Sequence, residues 1–451
     1  MFERLSVKES AVMNHLAESH ADNMAFSRFF NNDAVQPDVL EKVLQNKAVE
    51  LTVGNHLLCF QDTTEINKEH HRKLYSADDS DLGPTGNNKD IGFFVHPVLL
   101  VNTAGYFPMG FSSVECWNRK WDKQDKRDRK YQQQPIEEKE SYRWISSGKT
   151  TKDLLEKQCA HLTIIGDRES DIYEEFDQLK SDKCDVLVRS KENRVLYGSR
   201  ERLYECLASQ PVAGGYVIEI RDDQRRGHIG RKANIEIRYC KVKIARPKNL
   251  KSASAPKFIE LTAIEARERV GAEESIEPVL WRLLTTHHVP DVSVALLMVE
   301  WYKTRWLIEE VFRLLKNQGL NIEASQLQSG KALKSLAILG LQAVLRILQL
   351  RQDRDGLCSM HASVAFSPDE IEFAKLVGKH HIKSTTPLQS NPFDECSLAW
   401  IGWIIARLGG WKAYRSTASP GVITLKRGMQ KFDQMFQGFL IIRNLQDVYK
   451  E

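Results

Sequence analysis

Tyr302, Arg305, Glu309 and Lys316 form a Tyr-x2-Arg-x3-Glu-x6-Lys array inside WYKTRWLIEEVFRLLKNQG, residues 301–319. The stretch has no proline and carries apolar residues at helical spacing, so it predicts one amphipathic helix. At about 100° per residue, the four array positions fall within roughly 60° of one another. Leu307, Ile308, Val311, Leu314 and Leu315 spread over the opposite side. The pattern therefore predicts an apolar face on a core and a polar stripe with one carboxylate, two cations and an aromatic ring. Such a stripe suits a metal-binding carboxylate beside a phosphate backbone. It also fits a solvated face with an Arg305–Glu309 ion pair, and the array alone does not separate the two. Glu310, about 100° further round, leaves the stripe.

Two more acids occupy positions where strands end. HLLCFQD (56–62) predicts an apolar strand closing on Asp62, and HLTIIGD (161–167) another closing on Asp167 just before a helix. Carboxylates at the carboxyl ends of neighbouring central strands point into one crevice, and a helix packed over the sheet can add a third. The same positions also suit ordinary turn residues or helix caps. Asp171, three residues before Glu174, predicts a helix cap, and Glu169 has no assigned role. DVLVRS (185–190) predicts a further strand, after which Arg189 and Lys191 are either solvated or available to phosphates. His287 and His288 are adjacent on a predicted strand, so their side chains should face opposite ways, which argues against a paired metal role.

Period-two alternation in YVIEIR, ANIEIRYCKVKIA and FIELTAIEA predicts an antiparallel β insertion outside the main α/β layer. The expected organisation is a shortened helical segment (1–55), a first core part (56–190), the insertion (191–280), a second core part with the array (281–352), and a helical association region (353–451). ALKSLAILGLQAVLRILQL is apolar almost all round and predicts a buried scaffold helix.

Net charge is only +4, from 64 Lys and Arg against 60 Asp and Glu, so composition alone does not announce a nucleic-acid binder. Basic runs do occur, at 119–130, 225–232 and 241–251, and point toward DNA backbone contact. The eight cysteines include no Cys-x2-Cys pair, which argues against a zinc module and fits a reducing cytoplasm. No apolar run is expected to cross a membrane.

The array resembles the signature helix of bacterial insertion-sequence transposases that carry an Asp, Asp, Glu metal triad, specifically the Tn-five-like group. Phe60-Gln-Asp62-Thr63-Thr64 and Ile165-Gly-Asp167-Arg-Glu-Ser-Asp171-Ile resemble the segments carrying the first and second Asp. Val188-Arg189-Ser-Lys191, Trp281-Arg-Leu-Leu-Thr-Thr286 and Ala406-Arg-Leu-Gly-Gly410 resemble further blocks in family order. The resemblance implies an α/β fold: an RNase H-like mixed sheet with flanking helices, an inserted antiparallel β subdomain and a helical carboxy-terminal region. It implies Asp62, Asp167 and Glu309 as ligands of two Mg²⁺ or Mn²⁺ ions. It also implies Tyr302, Arg305, Lys316, Arg189 and Lys191 as DNA contacts, with Trp281 receiving a flipped base.

The implied activity is cut-and-paste transposition on double-stranded DNA through a hairpin, by a homodimer. A Gly-Asp-x-Arg motif opens the amino-terminal recognition domain of relatives and is missing here. A shortened, inhibitory relative of a transposase is therefore a second expectation.

Overall fold

The computed structural model describes the chain apart from residues 1–3, 6, 7, 9, 77, 122–133, 221–229, 251–254, 271–276, 383–388, 415 and 449–451. The amino-terminal segment carries α1 (Met13–Leu16), α2 (His20–Asn31) and α3 (Pro37–Thr52). The apolar run Leu57–Phe60 then forms the middle of β1 (His56–Gln61). A strand with no polar face belongs inside a sheet covered on both sides. Accordingly β1 pairs antiparallel with β4 (Ile91–Asn102) and parallel with β6 (His161–Gly166). β7 (Cys184–Arg189) runs parallel to β6 on its far side. β2 (Thr64–Asn67), β3 (Gly83–Pro84) and β5 (Pro108–Trp117) all attach to β4.

The insertion is antiparallel as expected, with a short helix α6 (Leu203–Ala208) and strands β8 (Gly214–Ile220), β9 (Arg231–Ala245), β10 (Phe258–Glu268) and β11 (Leu280–Thr285). It is not a separate layer. β11 pairs antiparallel with β7, so one mixed sheet runs in the order β2-β4-β1-β6-β7-β11-β10-β9-β8. Alternation reports which face of a strand is covered and says nothing of which strand lies beside it.

Helices flank this sheet: α4 (Tyr142–Leu155), α5 (Tyr173–Leu179), α7 (Val292–Thr304), α8 (Trp306–Leu315) and α9 (Gly330–Asp353). The helices α10 (Pro368–His380), α11 (Leu398–Leu408) and α12 (Val422–Val448) form the carboxy-terminal region. The architecture is the mixed α/β sheet with flanking helices expected for an RNase H-like fold. α9 is long and apolar enough to cross a bilayer by length and hydropathy, contrary to the expectation that no run would be. It packs against α3, α8, β5, α11 and α12, and 89% of its most apolar window is buried. Its all-round apolarity is that of a core helix.

The 301–319 stretch is not one helix. α7 ends at Thr304, Arg305 forms the joint, α8 ends at Leu315, and Lys316 lies past it with non-helical dihedrals. At the joint, the amides of Arg305 and Ile308 bond to carbonyls three residues back, Tyr302 and Arg305, instead of four. Thr304 Oγ1 also bonds back to the Glu300 carbonyl at 2.9 Å, a contact that bends helices. The apolar side behaves as predicted: Ile308, Val311, Leu314 and Leu315 are buried.

Candidate active site

Phe60 of β1 stands opposite Ile165 of β6 in the parallel register. Asp62 and Asp167 each follow two residues later, so both leave the same edge of the sheet side by side. Each carboxylate closes a local turn: Asp62 Oδ1 accepts from the Thr63 amide at 2.8 Å, and Asp167 Oδ1 from the Glu169 amide at 2.7 Å. The Asp167 turn is packed tightly. A Cβ at Gly166 would lie 2.3 Å from Ser170, whose hydroxyl donates to the buried Glu175 at 2.7 Å. Burial pushes that carboxyl up to about 8.

Glu309 arrives from the first turn of α8. Arg305 ties it to Asp62, with Nη2 2.6 Å from Glu309 Oε1 and Nη1 2.8 Å from Asp62 Oδ2. Burial raises the Asp62 pKa most, the charges of Asp167 and Glu309 add to it, and Arg305 opposes them; the result is about 6. The charges of Asp167 and Glu309 thus both reach Asp62. Arg305 bridges Asp62 and Glu309, and the charge of Asp167 reaches Asp62; hard carboxylate oxygens of this kind suit divalent Mg²⁺ or Mn²⁺.

Tyr302 is buried on α7, with Arg305 5.7 Å over its ring and the ring of Trp281 5.9 Å away. Burial raises its pKa, while Arg305 and Arg189 pull it down. Arg189 is half-buried and spends one Nη2 on the Leu280 carbonyl at 3.1 Å. Trp281 is half-buried on β11, opposite Ala266. The structure thus brings Asp62, Asp167, Glu309, Arg305, Tyr302 and Arg189 together, with Trp281 beside them.

Lys191 and Lys316 are peripheral. Lys191 is exposed, and its amide bonds to Asp171. Lys316 lies past α8, with Nζ 3.6 Å from Glu323. Glu310 stands apart from the acids, ion-paired with Arg313 and, at 3.1 Å, with Arg351 of α9. Asp171 is not a helix cap: Ile172 occupies the N-cap of α5 without a side-chain bond. Asp171 instead receives the guanidinium of Arg194 at 2.6 Å and the Lys191 amide at 2.8 Å. Sequence spacing cannot distinguish a local cap from a long-range partner of this kind.

Much of the basic runs lies outside the described residues. Among the described members, Arg119 pairs with Glu140 at 3.0 Å, Arg231 with Glu268 at 2.8 Å and Lys243 with Glu260 at 3.2 Å, while Lys120, Lys232 and Lys241 are exposed.

Residues that sequence reasoning passed over support the Asp62 loop. Arg143 of α4 donates from Nε to Thr63 at 2.9 Å and from Nη2 to Glu169 at 2.6 Å. The buried His96 joins Thr63 to Gln61 at 2.9 and 3.1 Å, and burial keeps its pKa well below the usual range. Neither residue has a sequence signal, since their partners lie far off in the chain. Trp306 did have one, a tryptophan directly after Arg305, and it is 64% exposed.

Residues 121–345, just under half of the chain, match the family model described as a transposase DDE domain, and that segment is similar to the domain of DDE transposases. The matched segment contains Asp167 and Glu309, and Asp62 lies before it, placed beside Asp167 by the β1–β6 register.

Proposed function

We propose that the chain is a DNA transposase of the Tn-five-like type, which cuts at transposon ends and joins the freed 3′-hydroxyls to target DNA through a hairpin intermediate. What carries this reading is the placement of Asp62 and Asp167 side by side beyond paired strands, with Glu309 drawn to them by Arg305. In the proposal Asp62, Asp167 and Glu309 hold two Mg²⁺ or Mn²⁺ ions. Such ions activate an attacking hydroxyl or water and stabilise the leaving oxygen.

The remaining chemistry belongs to the chain itself. Arg305 occupies the carboxylate oxygens that cations need, and a DNA phosphate offers its guanidinium an alternative bidentate partner. Arg189, Lys191 and Lys316 contribute further backbone contacts. Tyr302 and Arg189 neighbour one another, so a strand held there would lie next to Asp167. Trp281 and the exposed Trp306 offer ring faces for bases leaving the duplex. Ile441, Ile442 and Leu445 are exposed near the end of α12 and favour that helix for pairing in a homodimer.

The test is Mg²⁺-dependent cleavage of duplexes bearing candidate transposon ends. Asp62→Ala, Asp167→Ala and Glu309→Ala should each abolish it while circular dichroism stays unchanged. Retained cleavage in any one of the three would remove that residue from the ligand set.

A further inference from the structure

At the edge of the sheet opposite Asp62 and Asp167, a second cluster of metal-binding side chains gathers. His161 begins β6, Asp185 is the second residue of β7, and His287 follows β11. β11 runs antiparallel to β7, so its carboxyl end returns to the starting edge of the parallel strands. The six residue steps from His161 to Asp167 separate the two edges by about 20 Å.

Asp185 is shared between both imidazoles. Its Oδ2 lies 3.0 Å from His161 Nε2 and 3.3 Å from His287 Nδ1, and the three ligand atoms all fall within 4.8 Å of one another. Tetrahedral zinc with N and O bonds of ~2.0–2.1 Å sets its ligand atoms roughly 3.3–3.4 Å apart. The two edges to Asp185 are already close to that figure, and the third is within 4.8 Å.

Outer contacts orient each ligand. Asp185 Oδ1 is held separately by Thr286 Oγ1 at 2.6 Å and Lys180 Nζ at 3.3 Å. His287 Nε2 meets Thr163 Oγ1 at 2.9 Å, which aims Nδ1 at Asp185; Thr163 in turn meets His56 Nε2 at 2.9 Å. Such partners fix the tautomer and ring direction of a ligand histidine. Trp301 of α7 covers the group, 5.0 Å from the His56 ring and 5.6 Å from that of His287. A cleft lined by Lys180, Asp185, Thr286 and His287 opens on the site from outside. Lys180 is the opposing charge, and it divides its ammonium between Asp185 and the Thr286 carbonyl at 3.0 Å.

We propose that His161, Asp185 and His287 form a zinc site of three protein ligands and one water, separate from the acidic centre. Zinc there ties β6, β7 and the segment after β11 into one clip. The clip fixes the base of α7, which carries Tyr302 toward the opposite edge. His288, by contrast, is exposed. Only His287 of the adjacent pair joins the cluster, and its partners lie more than a hundred residues earlier.

The test uses metal-stripped full-length protein titrated with Zn²⁺ and, separately, Co²⁺. To silence the acidic centre, a triple variant Asp62→Asn, Asp167→Asn, Glu309→Gln is titrated in parallel. We expect one Zn²⁺ per chain in both proteins and visible Co²⁺ bands of a four- or five-coordinate N/O site. His161→Ala and His287→Ala should each weaken Zn²⁺ binding by about 100-fold or more, whereas His288→Ala should not change it. Loss of the zinc in the triple variant, unchanged affinity in both histidine variants, or only octahedral Co²⁺ bands in wild type would each overturn the proposal. The wild-type Co²⁺ spectrum decides the matter even where a histidine variant fails to fold.

Discussion

Arg305 places its Nη1 2.8 Å from the Oδ2 of Asp62, a residue 243 positions earlier in the chain. The same guanidinium holds Glu309 at 2.6 Å, and the side chain is only 10% exposed. Burial works against its charge, yet the fields of Asp62, Tyr302 and Glu309 raise its pKa further. Arg305 therefore acts as the counter-ion of an acidic centre that otherwise repels itself.

Removing that counter-ion should cost stability in a metal-dependent way. Breaking a buried pair by deleting one partner typically costs about 3–5 kcal/mol, and the half-exposed Glu309 places this case at the lower end. Arg305→Ala should accordingly lower the melting temperature in EDTA, and added Mg²⁺ should recover more of the loss than it adds to wild type. Calorimetric scans with and without Mg²⁺ give the comparison. A deficit indifferent to Mg²⁺ would contradict the role of Arg305 as stand-in cation.

Asp62 predicts a pH dependence of definite sign. Its pKa in the fold is about 6, against 3.8 for the free side chain. The folded state holds the proton more tightly than the unfolded chain. The group therefore contributes stability that is complete below about pH 4 and lost as pH rises through about 6. Asp62→Asn mimics the protonated form and should be more stable than wild type at pH 8 in EDTA, by up to about 3 kcal/mol. The advantage should vanish near pH 4. Urea melts at the two pH values measure it, and equal stabilities at pH 8 would refute the assignment. Mg²⁺ affinity of the wild type should fall as pH drops below about 6, because proton and cation compete for the same oxygens.

Glu309 and Glu310 are adjacent, and the structure gives them different partners. Glu309→Gln should abolish cleavage with little loss of stability, since Arg305 keeps Asp62. Glu310 is buried between Arg313 and Arg351. Glu310→Gln should leave Mg²⁺-dependent cleavage nearly intact and cost about 1–3 kcal/mol, because two arginines lose their charged acceptor. Cleavage rates and urea melts on the same two variants check this. Loss of cleavage in Glu310→Gln at full stability would reverse the assignment.

Legibility differed by the range of the interaction. Local patterns placed β1, β6 and β7, the core helix α9 and the two acids at strand ends, because apolar runs and period reflect burial directly. The joint at Arg305 was invisible, since neither proline nor glycine marks it and its causes are Thr304 bonding back and Arg305 reaching to Asp62. The union of the insertion with the main sheet, the Asp171–Arg194 pair and the Arg143–His96 support under Thr63 were hidden for the same reason. Each depends on a partner at least 20 residues away, and spacing arguments carry no information at that distance. His287 shows the error most plainly: the argument that it diverges from His288 was sound, yet its partners come from other strands.

The peripheral cations offer a last prediction, on DNA. Removing one phosphate-binding cation should lower the log–log salt slope of binding by about 0.9 for duplex DNA. Lys191 is exposed, so Lys191→Ala should lower the slope by that full amount. Lys316 first has to leave Glu323, 3.6 Å away. The pair is half-buried but long, so a phosphate competes for the ammonium and Lys316→Ala should lower the slope as well. Glu323→Gln should do the opposite, tightening binding by a few-fold at low salt, because it frees Lys316 while its amide oxygen can still accept from the Asn67 amide, now 2.9 Å from the carboxylate. Binding isotherms between low and moderate salt measure all three. If Lys316→Ala leaves the slope unchanged and Glu323→Gln leaves affinity unchanged, Lys316 stays on Glu323 in the complex and that end of the stripe is a surface ion pair.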